Sequence, residues 1–491
     1  VTTAILAGFL IGIVVIVVMR ALLIKAPAAG RHQERIESVA VDAGQAARHL
    51  SALVRIPTVS SRDPGGWDPA RFRELMELLP QLYPEAHRAL IETVVGDFSL
   101  LYRWQGASHD DPLVLMAHYD VVPADPDGWI RGPFSGDIHD GKVWGRGTLD
   151  TKCTMVCAFE AVEALVKLGF VPAHDVYLSF GHNEETGGDG ATGIVRHLSA
   201  LGIKPALVLD EGGAVVRGIF PGIARPLAML GVAEKGVTDI ELSVTSKGGH
   251  ASTPPRRGAS WRLARAIMRI EARPFPVRFP TATRVMFSRL APHATFGLRL
   301  VLANMWLFEP LLLRVFAASG GELNALCRTT TAVTMLEGSP AANVLPAVAK
   351  AVVNVRVAVG QTAASATARI AGAIADPLVA MHVLLPGDPS PVSELGGERF
   401  GMLAQTVAEV YPDAVVAPYV VLGGTDARHF CDISRNVYRF SPFELSKAER
   451  ASMHAVNEAI PVASLAKGVE FYTRLIRNIG QGGTWRARTA G

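Results

Sequence analysis

The stretch DVYLSFGHNEETGGDGATGIVRHLSALG, residues 175–202, decides the fold class. DVYLSF is a short apolar run of strand length, and ATGIVRHLSALG reads as a helix. Between them stand two adjacent glutamates, Glu184 and Glu185, followed by glycines. Strand, polar turn and helix in that order form the repeating unit of an α/β sheet. The polar turn then lies at the carboxyl end of a strand, where such sheets bind ligands. Neighbouring carboxylates repel, and each loses water on partial burial. A solvated turn would tolerate the pair. So would a strong cation, with one carboxylate binding it and the other doing proton chemistry.

The same alternation extends on both sides. PLVLMAHYD (112–120) and ALVLDEGG (206–213) read as further strands, and CTMVCAFEAVEALVKLG (153–169) as a helix. The pattern changes at about 236. GVTDIELSVTSKG and NVLPAVAKAVVNVRVAV alternate like half-exposed strands, with helices near WRLARAIMRIEA and TAASATARIAGAIA and a last strand VAMHVLL. We therefore expect a smaller α+β unit over 236–386, inserted into a larger α/β unit made of 26–235 and 387–480. Residues 26–36 read as a linker and 481–491 as a frayed tail.

Composition narrows the function. A chain of 491 residues with 49% hydrophobic content can build a large core. The net charge of +3 is close to neutral for this size, and no basic stripe carries interleaved aromatics, which argues against nucleic acid. Cys153, Cys157, Cys327 and Cys431 form no CxxC pair, so neither a disulfide framework nor a zinc knuckle is expected. The first nineteen residues, VTTAILAGFLIGIVVIVVM, carry no charge, and ALLI follows Arg20. That run is long enough to span a bilayer. We read residues 1–25 as a single-pass membrane anchor. A cleaved signal peptide is the weaker alternative, because no basic residue precedes the apolar run. Arg20, Lys25, Arg31 and Arg35 follow the span, and by the positive-inside rule they would keep the main domain cytoplasmic. A second apolar segment, FGLRLVLANMWLFEPLLLRVF (296–316), contains Arg299, Glu309 and Pro310, which argue against a second span. It suits a core or dimer contact, a wall for a long acyl chain, or a face resting on the bilayer.

Four strand or turn ends offer metal-ligand side chains: His118 and Asp120, Asp150, Glu184 and Glu185, and Asp210. A lone histidine on a strand is more often a satisfied core residue. Four ends supplying only histidine and carboxylates make a metal-ligand set. Mixed nitrogen and oxygen donors suit zinc, with cobalt or manganese as alternatives. On NVRV, Val353, Val355 and Val357 share one face, leaving Asn354 and Arg356 on the other. An arginine there would pair with a free carboxylate, or simply face solvent.

The ordered set HxD, GRGTxDxK, EE, a strand ending in Asp, and GGHAS resembles the di-zinc metallopeptidase family of aminoacylase and carboxypeptidase S. The resemblance covers about residues 40–480. AHYDVVPAD, PFSGDIHDGKVWGRGTLDTK, NMWLFEPLL, RTTTAVTMLEG, NVLP and GGTDARHF look most like the branch of the N-fatty-acyl-amino-acid synthase/hydrolases. The resemblance implies a zinc-peptidase-like mixed sheet flanked by helices, with a ferredoxin-like lid and dimerisation domain. It implies two Zn2+ per subunit, held by His118, Asp150 as the bridge, Glu185, Asp210 and a fifth histidine. His454 in SMHAVNEAI matches that last block better than His429 in TDARHF. Asp120 would orient His118, and Glu184 would be the general base. His250 would steady the oxyanion, often across a homodimer. Asn343, Arg356, Gly423, Gly424 and Thr425 would contact the substrate. The implied activity is hydrolysis or formation of the amide of an N-acyl amino acid, with a carboxypeptidase or dipeptidase as the near alternative. A metal-free binding protein on this fold would be expected to have lost ligands or the base, and all six residues are present.

Overall fold

The computed structural model describes residues 2–25, 40–63 and 65–479. The expected linker and tail lie outside the described residues.

The larger unit is built on a ten-stranded mixed sheet. At its centre Ser108–His118 runs parallel to His174–Gly181 on one side and to Leu207–Asp210 on the other. Leu113 to His118 are buried without a break, as a strand covered on both faces requires. One face packs Leu113, Leu115, Leu178 and Leu209 against the helices Lys152–Lys167 and Val462–Asn478. The other packs Val114, Met116, Tyr177 and Val208 against Ile194, Leu198 and Phe430. In register, His118 pairs with Gly181 and Leu115 with Leu209. The carboxyl ends of three adjacent parallel strands therefore finish side by side, delivering His118, the turn at 184–186 and the turn after Asp210 to one rim.

The C-terminal part of the chain completes this sheet. Val437–Arg439 lies parallel to Leu207–Asp210 and touches Leu227–Glu234, which Val415–Val421 extends in parallel. Arg439 is fully buried in that seam. Its Nε donates to Glu234 Oε2 at 3.0 Å, and the Thr425 hydroxyl donates to the same oxygen at 2.8 Å.

The smaller sheet is antiparallel, in the order Thr330–Glu337, Val348–Val357, Gly236–Thr245, Ala380–Leu385. With the helices Ala259–Glu271 and Ala363–Ile374 it forms a βαββαβ arrangement. Val353, Val355 and Val357 face those helices in the core, and Asn354 and Arg356 point the other way.

One expectation changes here. Not all of 236–386 belongs to the smaller unit. Phe279, Met286, Phe287, Leu302 and Phe316 pack with Leu227, Met229, Val415 and Ala417 of the larger sheet. The helices from Thr281 to Cys327 are thus an excursion that covers the larger unit. Their apolar content reads the same from sequence whichever sheet they cover.

The Arg439–Glu234 pair fixes the seam between the two halves of the larger sheet. Arg439→Ala leaves Glu234 buried without its cation and should cost about 3–5 kcal/mol. Urea denaturation should show that loss, and Arg439→Met with Glu234→Leu together should recover most of it.

Candidate metal centre

Asp150 organises the rim. Its Oδ1 lies 3.0 Å from His118 Nε2, and its Oδ2 lies 2.9 Å from His454 Nε2. Each oxygen thus serves a different imidazole. On one side Glu211 Oε1 comes within 3.3 Å of His118 Nε2. On the other, Glu185 Oε1 comes within 3.1 Å of His454 Nε2. Ligand atoms of His118, Asp150 and Glu185 lie within 4.8 Å of one another, as do those of His118, Glu184 and Glu211.

Buried supports hold these groups. Asp120 is fully buried, and its Oδ2 accepts from Ser60 Oγ at 2.6 Å and from the Glu185 amide at 3.2 Å. Its Oδ1 accepts from the Glu184 amide at 3.1 Å, and 3.3 Å separates it from His118 Nδ1. Glu458 Oε1 accepts from the Leu149 amide at 2.8 Å and the Asp150 amide at 3.4 Å, while its Oε2 takes Arg146 at 2.6 Å. Lys152 buries its ammonium against the carbonyls of Leu53 and Ile56, and burial pushes it down to about 7. His454 sits at φ +59°, a left-handed conformation uncommon outside glycine. Such outliers persist where the surroundings over-determine them, and functional sites are enriched in them.

The electrostatics point to a cation. Burial pushes Glu211 up to about 8, helped by Asp150. Burial also raises Glu184, with Asp426, Glu211 and Asp150 adding to it. Burial pulls His118 down, but Glu211, Asp120 and Asp150 outweigh it and hold the imidazole well above its usual range. His454 is driven up to about 10 by Asp150 and Glu185. Asp150, Glu184, Glu185 and Glu211 face two imidazoles. The donor set therefore fits metal.

One expected ligand lies beside the grouped side chains. Asp210 does not enter the cluster: its Oδ1 accepts from the Glu211 amide at 2.9 Å and its Oδ2 from the Ala427 amide at 2.8 Å. Side chains alternate along a strand, and Asp210 shares the face of Val208, which packs on Ala427 and Phe430. The carboxylate that reaches His118 is Glu211, the next residue. The Val208 parity in LVLDEG was the signal that could have separated the two.

The other expected residues fall in three places. His429 is outside the cluster; its Nε2 accepts from Arg428 Nε at 3.3 Å, and burial beside Arg428 pushes it down to about 4. Thr425 is buried with its hydroxyl committed to Glu234, and a Cβ on Gly424 would come within 2.8 Å of Arg428. Arg356 is held by Asn354 Oδ1 at 3.0 Å. Burial lowers Arg356, and the charge of Arg428 adds to that. Arg428, which the sequence reading passed over, also acts on Asp426. His250 and Asn343 are exposed and lie together on the ribbon where Gly249–His250 pairs with Val344–Leu345. The His250 Nδ1 accepts from the Ser252 amide at 3.1 Å, so the structure does not bring His250 to the cluster.

Residues 114–478 match the model of peptidase family M20/M25/M40. The chain belongs to that family. It is 37% identical over 493 residues to the N-fatty-acyl-amino acid synthase/hydrolase PM20D1 of Xenopus tropicalis, covering 97% of this chain and 95% of the relative. It is 35% identical to the probable carboxypeptidase S-like 2 of Dictyostelium discoideum, over 88% and 84% of the two chains. An M20 family metallo-carboxypeptidase from Sulfolobus solfataricus superposes with a TM-score of 0.65 at 17% identity, covering 88% of this chain and 98% of that one. That likeness supports the mixed α/β fold alone. Family membership supports a metal-dependent amide hydrolase.

Glu211→Ala and Glu185→Gln should lower bound metal, measured as ions per subunit, with thermal melting of the metal-free protein little changed. Asp210→Ala should instead melt early, because it unpairs the buried Ala427 amide, at about 1–3 kcal/mol, and the partly buried Glu211 amide.

Proposed function

We propose that the chain is a membrane-anchored di-zinc amidohydrolase that cleaves, or in reverse forms, the amide of an N-fatty-acyl amino acid. The observation that carries the chemistry is Asp150, which offers one oxygen to His118 and the other to His454. Asp150, His118, Glu211, Glu185 and His454 are the residues that would hold the metal pair, with Asp150 placed between the two histidines. Cobalt or manganese could fill the same donors. When bound, the metal pair supplies Lewis-acid activation of water and of the scissile carbonyl.

The chain's own residues do the rest. Glu184 takes the proton of the attacking water at its carboxylate and passes it to the leaving nitrogen. Burial, which raises this carboxyl, favours its acting as acid in the second half of that transfer. Asp120 keeps His118 and both glutamates aimed. Asp210 positions the turn that carries Glu211. Arg356, with Arg428 beside it, takes the free carboxylate of the amino acid, and Asn343, Gly424 and Thr425 line that end. His250 steadies the oxyanion, delivered by the smaller unit acting as lid, in this chain or in the partner of a homodimer.

The fatty-acyl substrate class is supported by the 37% identity to an N-fatty-acyl-amino acid synthase/hydrolase along nearly the whole chain. The carboxypeptidase S-like relative favours a second reading, a carboxypeptidase on the same site. The N-terminal helix Thr2–Leu23 supports the anchor: its Ile5–Leu23 window has a mean hydropathy of 2.7 and is only 6% buried.

Zinc-loaded protein should hydrolyse an N-oleoyl amino acid faster than an unmodified dipeptide; the opposite preference makes it a peptidase. Glu184→Gln should retain both metals and lose about 10²–10⁴-fold in kcat. Arg356→Ala should raise KM for substrates with a free carboxylate and leave metal content unchanged.

A further inference from the structure

The bent helix pair Phe296–Ala303 and Met305–Ser319 is placed by three observations. First, it grips the N-terminal helix. The pair turns by 107° at Asn304, which is fully buried. Asn304 Nδ2 donates to the Val17 carbonyl at 3.0 Å and to Leu300 O at 2.9 Å. Arg20 Nε donates to Ala303 O at 3.3 Å. Val17 and Ala21 are buried, whereas Ile5, Phe9, Leu10, Ile11 and Val14 are exposed. Only the last part of the span is packed on protein.

Second, the pair carries its own exposed apolar stripe. Leu307, Leu311 and Val315 recur every four residues on one helical face, beside Trp306 and with Phe296 on the first helix. Glu309 is neutralised by Arg284 through contacts of 2.9 and 2.5 Å. Arg314, on the same helical face, and Arg20 and Lys25, at the end of the span, are exposed cations. Apolar residues with basic flanks suit an anionic bilayer surface.

Third, the dimensions agree. The nineteen residues Ile5–Leu23 rise about 28 Å, close to the hydrocarbon thickness of about 30 Å. Val17 lies about 9 Å before Leu23 along the axis. Seating the span in hydrocarbon therefore draws the corner that holds Val17 toward the acyl boundary. An in-plane amphipathic helix buries about 5–10 Å there.

We propose that this bent pair is a membrane seat: it lies in the interfacial layer of the bilayer that the N-terminal helix crosses, with Trp306, Leu307, Leu311 and Val315 in contact with lipid. The proposal rests on the anchor reading of that helix and goes beyond it. It fixes the catalytic unit against the membrane instead of leaving it on a tether. The pair also packs in one cluster with Tyr419 and Leu422, and Leu422 runs directly into Gly423–Thr425. A lipidic substrate leaving the bilayer at the seat meets the element that leads to the proposed amino-acid end of the site.

The test uses the full chain in vesicles of phosphatidylcholine and phosphatidylglycerol, with or without bromine near the headgroup end of the acyl chains. The difference between the wild type and Trp306→Phe isolates the Trp306 emission. That emission should be largely lost in brominated vesicles and protected from aqueous iodide. The triple variant Leu307→Glu, Leu311→Glu, Val315→Glu should still float with the vesicles through its N-terminal helix, while Trp306 escapes bromine and becomes open to iodide. Three results overturn the proposal: Trp306 untouched by bromine but quenched by iodide, Trp306 shielded from both because a second copy covers it in cross-linked dimers, or a full chain that does not float. No step depends on turnover, so an inactive Glu184→Gln background gives the same answer, and an error in the substrate assignment would not affect it.

Discussion

The Asp120 carboxylate is the constraint on which the site depends. It is fully buried, and the imidazole of His118 lies 3.3 Å from its Oδ1. Its oxygens are satisfied by the Ser60 hydroxyl and by the amides of Glu184 and Glu185. An anion out of water must be compensated by hydrogen bonds, and these come from two separate segments. The same contacts therefore bind the loop at residue 60, the end of one central strand and the turn after its neighbour into one rigid rim. A glutamate pair that would repel in isolation is held by its backbone, which leaves its side chains free to face the cluster.

Glu458 repeats this logic on the other wall. It clamps the amides of Leu149 and Asp150 while Arg146 balances its charge. Burial nevertheless raises it to about 7. Asp150 itself is pushed up by burial, but the two imidazoles outweigh that and hold it below its usual range. The Asp150 carboxylate is thus held between two imidazoles while a buried clamp fixes its backbone.

Most of the architecture was legible in short apolar runs. LVLMAH, DVYLSF and LVLD became adjacent parallel strands because a sheet covered on both faces needs unbroken apolar segments. The alternating NVRV correctly separated Arg356 from the valine core. The structure brings His118, Asp150, Glu184, Glu185 and His454, all singled out in the sequence, to one rim. Local phase and long-range packing were harder to read. Asp210 and Glu211 are chemically alike and adjacent, and only the face taken by Val208 separates them. The helices of 281–327 carry no mark in their own sequence of which sheet they will cover. Ser60 and Glu458 were passed over because their importance comes from a buried partner sixty or more residues away.

The strand Val437–Arg439 has an implication for how the protein is made. It lies between Leu207–Asp210 and Leu227–Glu234, and His454 and Glu458 follow it. A nascent chain that has not yet released these residues from the ribosome has an open seam in its main sheet and an incomplete ligand set. Such non-local pairing is slow to form and is exposed while it waits. The same arrangement leaves both the seam and the His454 side of the rim open until residues beyond Glu458 have emerged, so sheet closure and assembly of the rim are coupled.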